Sequence, residues 1–206
     1  RRAMSAGVTD WRAMARRWIA DPLEGTATWL LFHGMRRLSL DQASALGGKV
    51  ARWLGPRLAV SKRARRNLRR CFPTWSAAEI EAVVAEVWEN LGRTAGEFPN
   101  SAAITVGGPD ARVELVGQEH LDAALAEERP AIFFSAHLAN WEVLPLTAQE
   151  RGIPITQVYR GFNTPLGARV LRQAREGHLG QAIAKGPAAG RQLLAAAKRG
   201  DRLALL

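Results

Sequence analysis

The sequence lacks most of the features that would assign a function at a glance. A single cysteine, Cys71, among 206 residues excludes an internal disulfide framework and fits a reducing compartment. No apolar run approaches the ~20 residues needed to span a bilayer. The best, around Trp29-Leu30-Leu31-Phe32, is closed off by His33 and the pair Arg36-Arg37. No small-residue cleavage site follows it cleanly, so a signal peptide fits poorly. There is no Gly-x4-Gly-Lys phosphate loop and no Gly-x-Gly-x-x-Gly turn, which leaves nucleotide cofactors unsupported. His33, His120 and His178 have no metal-ligand spacing with one another or with a cysteine or carboxylate cluster, so neither a metal nor a cofactor is expected. Acidic residues are scarce. Against 29 Lys and Arg stand 19 Asp and Glu, and the net charge of +10 favours anionic partners: nucleic acid, acidic lipid or an acidic carrier protein.

What is present suffices for a sizeable core, since 47% of residues are hydrophobic. The length is that of one domain with an appended helical segment. Residues 1–20 mix Arg12, Arg16 and Arg17 with Trp11, Met14, Trp18 and Ile19, a basic amphipathic pattern broken by Asp21-Pro22. Leu23 to Leu40 reads as a further amphipathic helix, either interfacial or packed on the core. Asp41 to Trp53 is predicted helical, capped near Asp41 and stopped by Gly55-Pro56. Ser61 to Arg70 carries Lys62, Arg63, Arg65, Arg66, Arg69 and Arg70. It suits a solvated helix face, or a surface that meets anionic lipid or a carrier protein. No aromatics interleave it and no nucleic-acid motif accompanies it, so no nucleic-acid partner is expected. Cys71 beside it is expected to be a buried thiol. Ser76 and Glu79 form a capping box opening a helix that runs to Arg93, with an apolar stripe of Ile80, Val83, Val84, Val87, Trp88 and Leu91. Phe98 to Pro109 reads as a loop, dividing a helical part (residues 1–100) from an α/β core (residues 101–206).

From Arg112 the pattern changes. Strands are predicted at 113–116, 131–135, 155–159, 181–184 and 203–206, the second of them buried. Helices are predicted at 120–128, 140–151, 164–176 and 188–198, with Pro145 distorting the second. This alternation predicts an α/β fold with a mainly parallel sheet covered by helices. Ligands of such sheets sit outside the carboxyl ends of strands. His137, Arg160 and Lys185 all follow predicted strands and are expected to converge on one edge.

Ala131 to Pro145, AIFFSAHLANWEVLP, is the stretch around which the rest is organised. A strand ends before His137, and Asn140 is placed to cap a helix with Glu142 in its first turn. Residues five apart on one helix differ by roughly 140°, so the pair cooperates only if His137 precedes the helix. A histidine oriented by a carboxylate suits general-base catalysis. A surface histidine followed by a dipole-complementing glutamate fits the same spacing. Ser135, on the same strand face as His137, is a weaker candidate nucleophile, because the Gly-x-Ser-x-Gly elbow is missing.

The segment His137-Leu-Ala-Asn-Trp-Glu142 resembles the H-x4-D/E signature of glycerolipid-type acyltransferases. SAHLANWEVLP is most similar to the bacterial lipid A biosynthesis (late) acyltransferases, of the lauroyl/myristoyl transferase type. The resemblance extends through Val158-Tyr159-Arg160-Gly161-Phe162-Asn163, Ile183-Ala184-Lys185 and Gly200 to Leu206, and upstream to Arg66-Asn67-Leu68 with Phe72-Pro73. It implies a glycerolipid-acyltransferase-like α/β core behind a membrane-associating helical segment, at the cytoplasmic face of a bacterial inner membrane. It implies transfer of a fatty acyl chain from an acyl carrier protein or CoA thioester to a hydroxyl of an anionic glycolipid, the lipid A precursor. His137 would be the general base, oriented by Glu142. Arg160, Asn163 and Lys185 would bind phosphate or carbonyl oxygens, arginine offering a bidentate fork. A related branch acylates phosphatidylinositol mannosides, so a phosphatidylinositol mannoside-type or other lysophospholipid acyltransferase is the alternative enzyme. A non-catalytic basic membrane-binding module is the other class of function that these segments suit. The chain begins at Arg1 and stops within the apolar run Leu203 to Leu206, where the family continues into further sheet, so it reads as part of a longer protein.

Overall fold

The computed structural model describes residues 21–126, 130–161, 164–174 and 181–205. The basic amphipathic stretch at 1–20, Asn163 and His178 lie outside the described residues. The order of elements is α1 (Asp21–Met35), α2 (Leu40–Leu54), α3 (Ser61–Cys71), α4 (Ala77–Glu97), α5 (Gln118–Ala126), β1 (Ile132–Phe134), α6 (Val143–Glu150), β2 (Ile155–Tyr159), α7 (Pro165–Ala174), β3 (Ala182–Ala184), α8 (Ala189–Lys198) and β4 (Arg202–Leu205).

The helical half is held by caps and small residues. Ser39, not Asp41, caps α2: its hydroxyl accepts from the Gln42 N–H while the Gln42 side chain accepts from the Ser39 N–H. Asp41 instead takes a bidentate ion pair from Arg112, at 2.7 and 3.1 Å. The capping box of α4 forms as the sequence predicts, between Ser76 and Glu79. Helices α2 and α4 pack through Ala43, Gly47, Gly92 and Gly96. A methyl group at Gly92 would drive into the Gly47 carbonyl oxygen, and one at Gly96 into that of Ala43, so the two backbones touch. Of the predicted α4 stripe, Ile80 and Val84 are buried but Val87 and Leu91 are exposed. Helix α3 is pinned at its first residue, where the buried Ser61 hydroxyl donates to the Gly55 carbonyl and accepts from the Trp88 indole. Cys71, the last residue of α3, is exposed rather than buried.

The sheet has the order β1-β4-β2-β3, and every pairing is parallel. Phe133, Ala204 and Gln157 are in register, and this face carries the core cluster of Ala148, Ile153, Ile155 and Ala204, with Leu121, Leu125, Phe133 and Leu144 against it. Helices α5 and α6 supply its cover. The other face carries Thr156, Ile183 and Leu203, all buried, and α8 packs against β2, β3 and β4. That arrangement follows from right-handed crossovers, since the chain runs forward from β1 to β3 and back to β4.

Two strand expectations change. Val113 to Val116 is not a strand; a single bridge joins Val106 to Val113, and Gly107 and Gly108 interrupt any longer ladder. β1 is an edge strand, not a buried one: Ile132 and Phe134 are 52% and 78% exposed. Its apolar run suits burial on both faces, yet β4 is its only strand neighbour among the described residues. Pro145 does not distort α6, because it falls in the first turn, where a missing N–H leaves no helical bond unmade. Among the described residues no helix is long and apolar enough to cross a membrane.

Candidate active site

The carboxyl ends of the parallel strands place the predicted residues along one rim. His137 follows β1 by three residues, Arg160 directly follows β2 and Lys185 directly follows β3. With neighbouring strands about 4.8 Å apart, the order β1-β4-β2-β3 sets Arg160 roughly 10 Å from the line of β1 and Lys185 one strand farther. The Lys185 N–H donates to the Tyr159 carbonyl at 2.8 Å, which ties the two cationic positions together through the backbone. The side chains of His137, Arg160 and Lys185 are all exposed. Neither cation forms an ion pair with a described residue.

The segment between β1 and α6 is shaped by specific hydrogen bonds. Ser135 extends the sheet by donating its N–H to the Leu205 carbonyl at 2.9 Å. The chain then tightens, with the Leu138 N–H on the Ala136 carbonyl at 2.7 Å. Ala139 has φ of 44°, a left-handed conformation, and its carbonyl lies 3.1 Å from the Thr94 hydroxyl of α4, whose single proton it shares with the Asn90 carbonyl, also at 3.1 Å. The Asn140 side chain turns the chain into the helix: its Oδ1 accepts from the Glu142 N–H at 3.1 Å. Glu142 is the residue before α6, so the cap falls two positions later than the sequence reading of a helix capped by Asn140. Asn140 is not the cap of α6; its side chain closes the turn before the helix by accepting from the residue two ahead of it.

The His137 ring leans on Trp141, centroids 5.2 Å apart at 46°. No hydrogen bond joins the side chains of His137 and Glu142 in this structure. Glu142 is half-buried beneath the rim, whereas His137 faces solvent. Ser135 is exposed one turn of chain away and has no side-chain partner among the described residues. His33 lies against the rings of Trp29 and Phe32, and His120 is solvent-facing beside Glu119, so neither joins the rim. Among the described residues no three His, Cys, Asp or Glu side chains are grouped to hold a metal. A surface hollow of about 410 Å³ beside Gly107, Val113 and Glu114 includes none of the rim residues.

Sequence reading missed one participant. Glu97, the last residue of α4, accepts from the Asn140 amide at 2.7 Å and from the Ser44 hydroxyl of α2, also at 2.7 Å. A local signal existed: Asn90, Thr94 and Glu97 recur at i, i+4 and i+7, a polar stripe on a helix otherwise read as core.

Fold and rim together define an α/β protein with a histidine and a carboxylate where a parallel sheet meets its helices. The profile of the bacterial lipid A biosynthesis acyltransferases matches residues 12–206, and the chain belongs to that family. It is also similar to "Lipid A biosynthesis acyltransferase" of Haemophilus influenzae (strain ATCC 51907 / DSM 11121 / KW20 / Rd), 26% identical over 122 residues. That match covers 59% of this chain and 38% of the relative, so it spans well under half of the curated protein.

Proposed function

We propose that this chain carries the catalytic centre of an acyltransferase that moves a fatty acyl group from an acyl carrier protein or CoA thioester to a hydroxyl of a lipid A precursor. The observation that carries the reading is the exposed His137 at the carboxyl rim of the sheet, with Glu142 five residues on at the mouth of α6. Membership in the lipid A biosynthesis acyltransferase family supports the reaction class.

His137 takes the proton from the acceptor hydroxyl as its oxygen attacks the thioester carbonyl. The tetrahedral intermediate collapses, the carbon–sulfur bond breaks, and the thiolate recovers the proton from His137. The thioester is already activated, so no acyl-enzyme is needed. Glu142 orients the imidazole and stabilises its charged form. Arg160 and Lys185 bind acceptor or donor phosphates along the rim, together with Asn163. The catalytic part works at the cytoplasmic face of the inner membrane, held there by the helical N-terminal half.

The test uses full-length protein in detergent, a labelled acyl-carrier or acyl-CoA thioester and a lipid A precursor. His137→Ala is expected to lower turnover by about 10²–10⁴-fold, the usual contribution of a general base. Equal transfer by wild type and variant would remove His137 from the mechanism and return Ser135 to consideration.

A further inference from the structure

We infer that Glu97 is a positioning residue for the His137–Glu142 motif, acting through Asn140. The inference rests on the acyltransferase reading above. Its observation is a chain of three hydrogen bonds crossing the molecule. The Ser44 hydroxyl on α2 donates to one oxygen of Glu97, the Asn140 amide donates to the other, and the Asn140 carbonyl oxygen accepts from the Glu142 N–H.

Each link has a reason. Ser44 and Glu97 can meet because α2 and α4 approach to backbone contact through Gly92 and Gly96. Glu97 and Asn140 are both half-buried, so their bond is shielded from competing water. The carboxylate only accepts, and both Ser44 and Asn140 donate to it. That polarity fixes the Asn140 amide: its NH2 turns to Glu97 and its oxygen to Glu142. A second tie runs parallel to the first, from Thr94 to the Ala139 carbonyl. The segment leaving His137 is thus fastened to α4 at Ala139 and Asn140, two of the four residues that lie between the base and Glu142. The helical half, far from the motif in sequence, sets the angle at which His137 and Glu142 can meet.

The test measures steady-state acyl transfer by the full-length protein. Glu97→Gln leaves kcat close to wild type, because an amide can still accept from Asn140 and donate to Ser44. Glu97→Ala lowers kcat about 100-fold, the cost of a small misplacement of reacting groups, with the donor KM little changed. Asn140→Asp lowers it similarly by setting two carboxylates face to face. Combining Asn140→Asp with Glu97→Gln restores kcat, since the new amide donates to the new carboxylate, whose second oxygen still accepts from the Glu142 N–H. Wild-type kcat in Glu97→Ala, or failure of the combination to recover, overturns the inference. Should Glu97→Ala not fold, the pair of exchanges at 97 and 140 decides alone. Should wild type transfer no acyl group from either donor, the acyltransferase reading fails. Hydrogen exchange at the Glu142 amide then judges the tie itself: faster exchange in Asn140→Asp, reversed in the combination, upholds it, and unchanged exchange overturns it.

Discussion

Ala139 shows at the scale of one residue how the motif is held. It is the one described non-glycine residue with left-handed φ, a conformation that costs an L-residue about 1–2 kcal/mol. The Thr94 hydroxyl and, at 3.4 Å, the Asn90 amide both reach its carbonyl and offset that cost. Thr94→Val keeps the side-chain shape and removes the donor. It is expected to lower stability by about 1 kcal/mol, the usual worth of one hydrogen bond, and to slow acyl transfer. Ala139→Gly should keep turnover, because glycine adopts this φ freely, whereas the β-branched Ala139→Val should lose it. Thermal unfolding and initial rates on the three variants check both statements; equal rates in Ala139→Gly and Ala139→Val would remove the backbone from the argument. His137, Arg160 and Lys185 were legible in sequence because each follows an apolar strand, and strand ends are readable. Glu97 was not, since its partner Asn140 lies 43 residues away and only the packing of α4 brings them together.

Among the elements, α4 packs along α2 and sends side chains to the segment before α6, and both its start and its middle can be tested. At the start, the Ser76 hydroxyl and then the Ser76 N–H donate to Glu79 and hold its carboxyl below the ordinary glutamate range. A carboxyl depressed by folding adds stability above its unfolded value and loses it as the pH falls through the folded one. Wild type should therefore exceed Glu79→Gln in stability near neutrality, and the two should converge as the pH drops below the ordinary glutamate range. A gap in melting temperature that persists into acid would exclude this origin. In the middle, Gly92→Ala pushes a methyl group into the Gly47 carbonyl and must part α2 from α4. About 1–3 kcal/mol of destabilisation is expected in denaturant titrations, as for other overpacked contacts. Turnover should fall with it, because Ser44 leaves Glu97. The capping box of α4 was readable because its signal is local. The α2 cap was misplaced at Asp41 because Ser39 and Asp41 both suit the role, and Arg112, distant in sequence, claims Asp41. The strand at 113–116 and the buried β1 failed for one reason: an apolar run states what a segment tolerates, while strand partners decide what it becomes.

At the scale of the whole molecule the net charge of +10 is unevenly spread. Helix α3 turns Ser61, Ala64, Arg65 and Leu68 inward and leaves Lys62, Arg63, Arg66, Arg69 and Arg70 outside. Arg65 differs from the rest. Its guanidinium grips Glu81 of α4 with two bonds at 2.6 and 2.7 Å and donates to the Pro56 carbonyl. The composition alone treats these arginines as one patch; the structure separates Arg65, bonded to Glu81 and Pro56, from exposed cations, of which Arg69 also lies in the field of Glu81. Nearby, α2 exposes Leu46, Val50, Trp53 and Leu54 on the side away from α4, and the Arg57 guanidinium lies 4.9 Å over the Trp53 ring. Exposed apolar side chains beside unpaired cations are the composition of a surface that meets anionic headgroups. The prediction separates the two kinds of arginine. Neutralising Arg63, Arg66, Arg69 and Arg70 together should weaken sedimentation with vesicles containing phosphatidylglycerol, each charge contributing about 1 kcal/mol at low salt, without changing the melting temperature. Arg65→Gln should do the reverse, lowering the melting temperature while vesicle binding by the folded protein persists. Raising ionic strength should shrink the first effect, because the Debye length falls from about 10 Å at 0.1 M to about 3 Å at 1 M. Vesicle binding untouched by the four neutralisations would leave α3 as an ordinary solvated face.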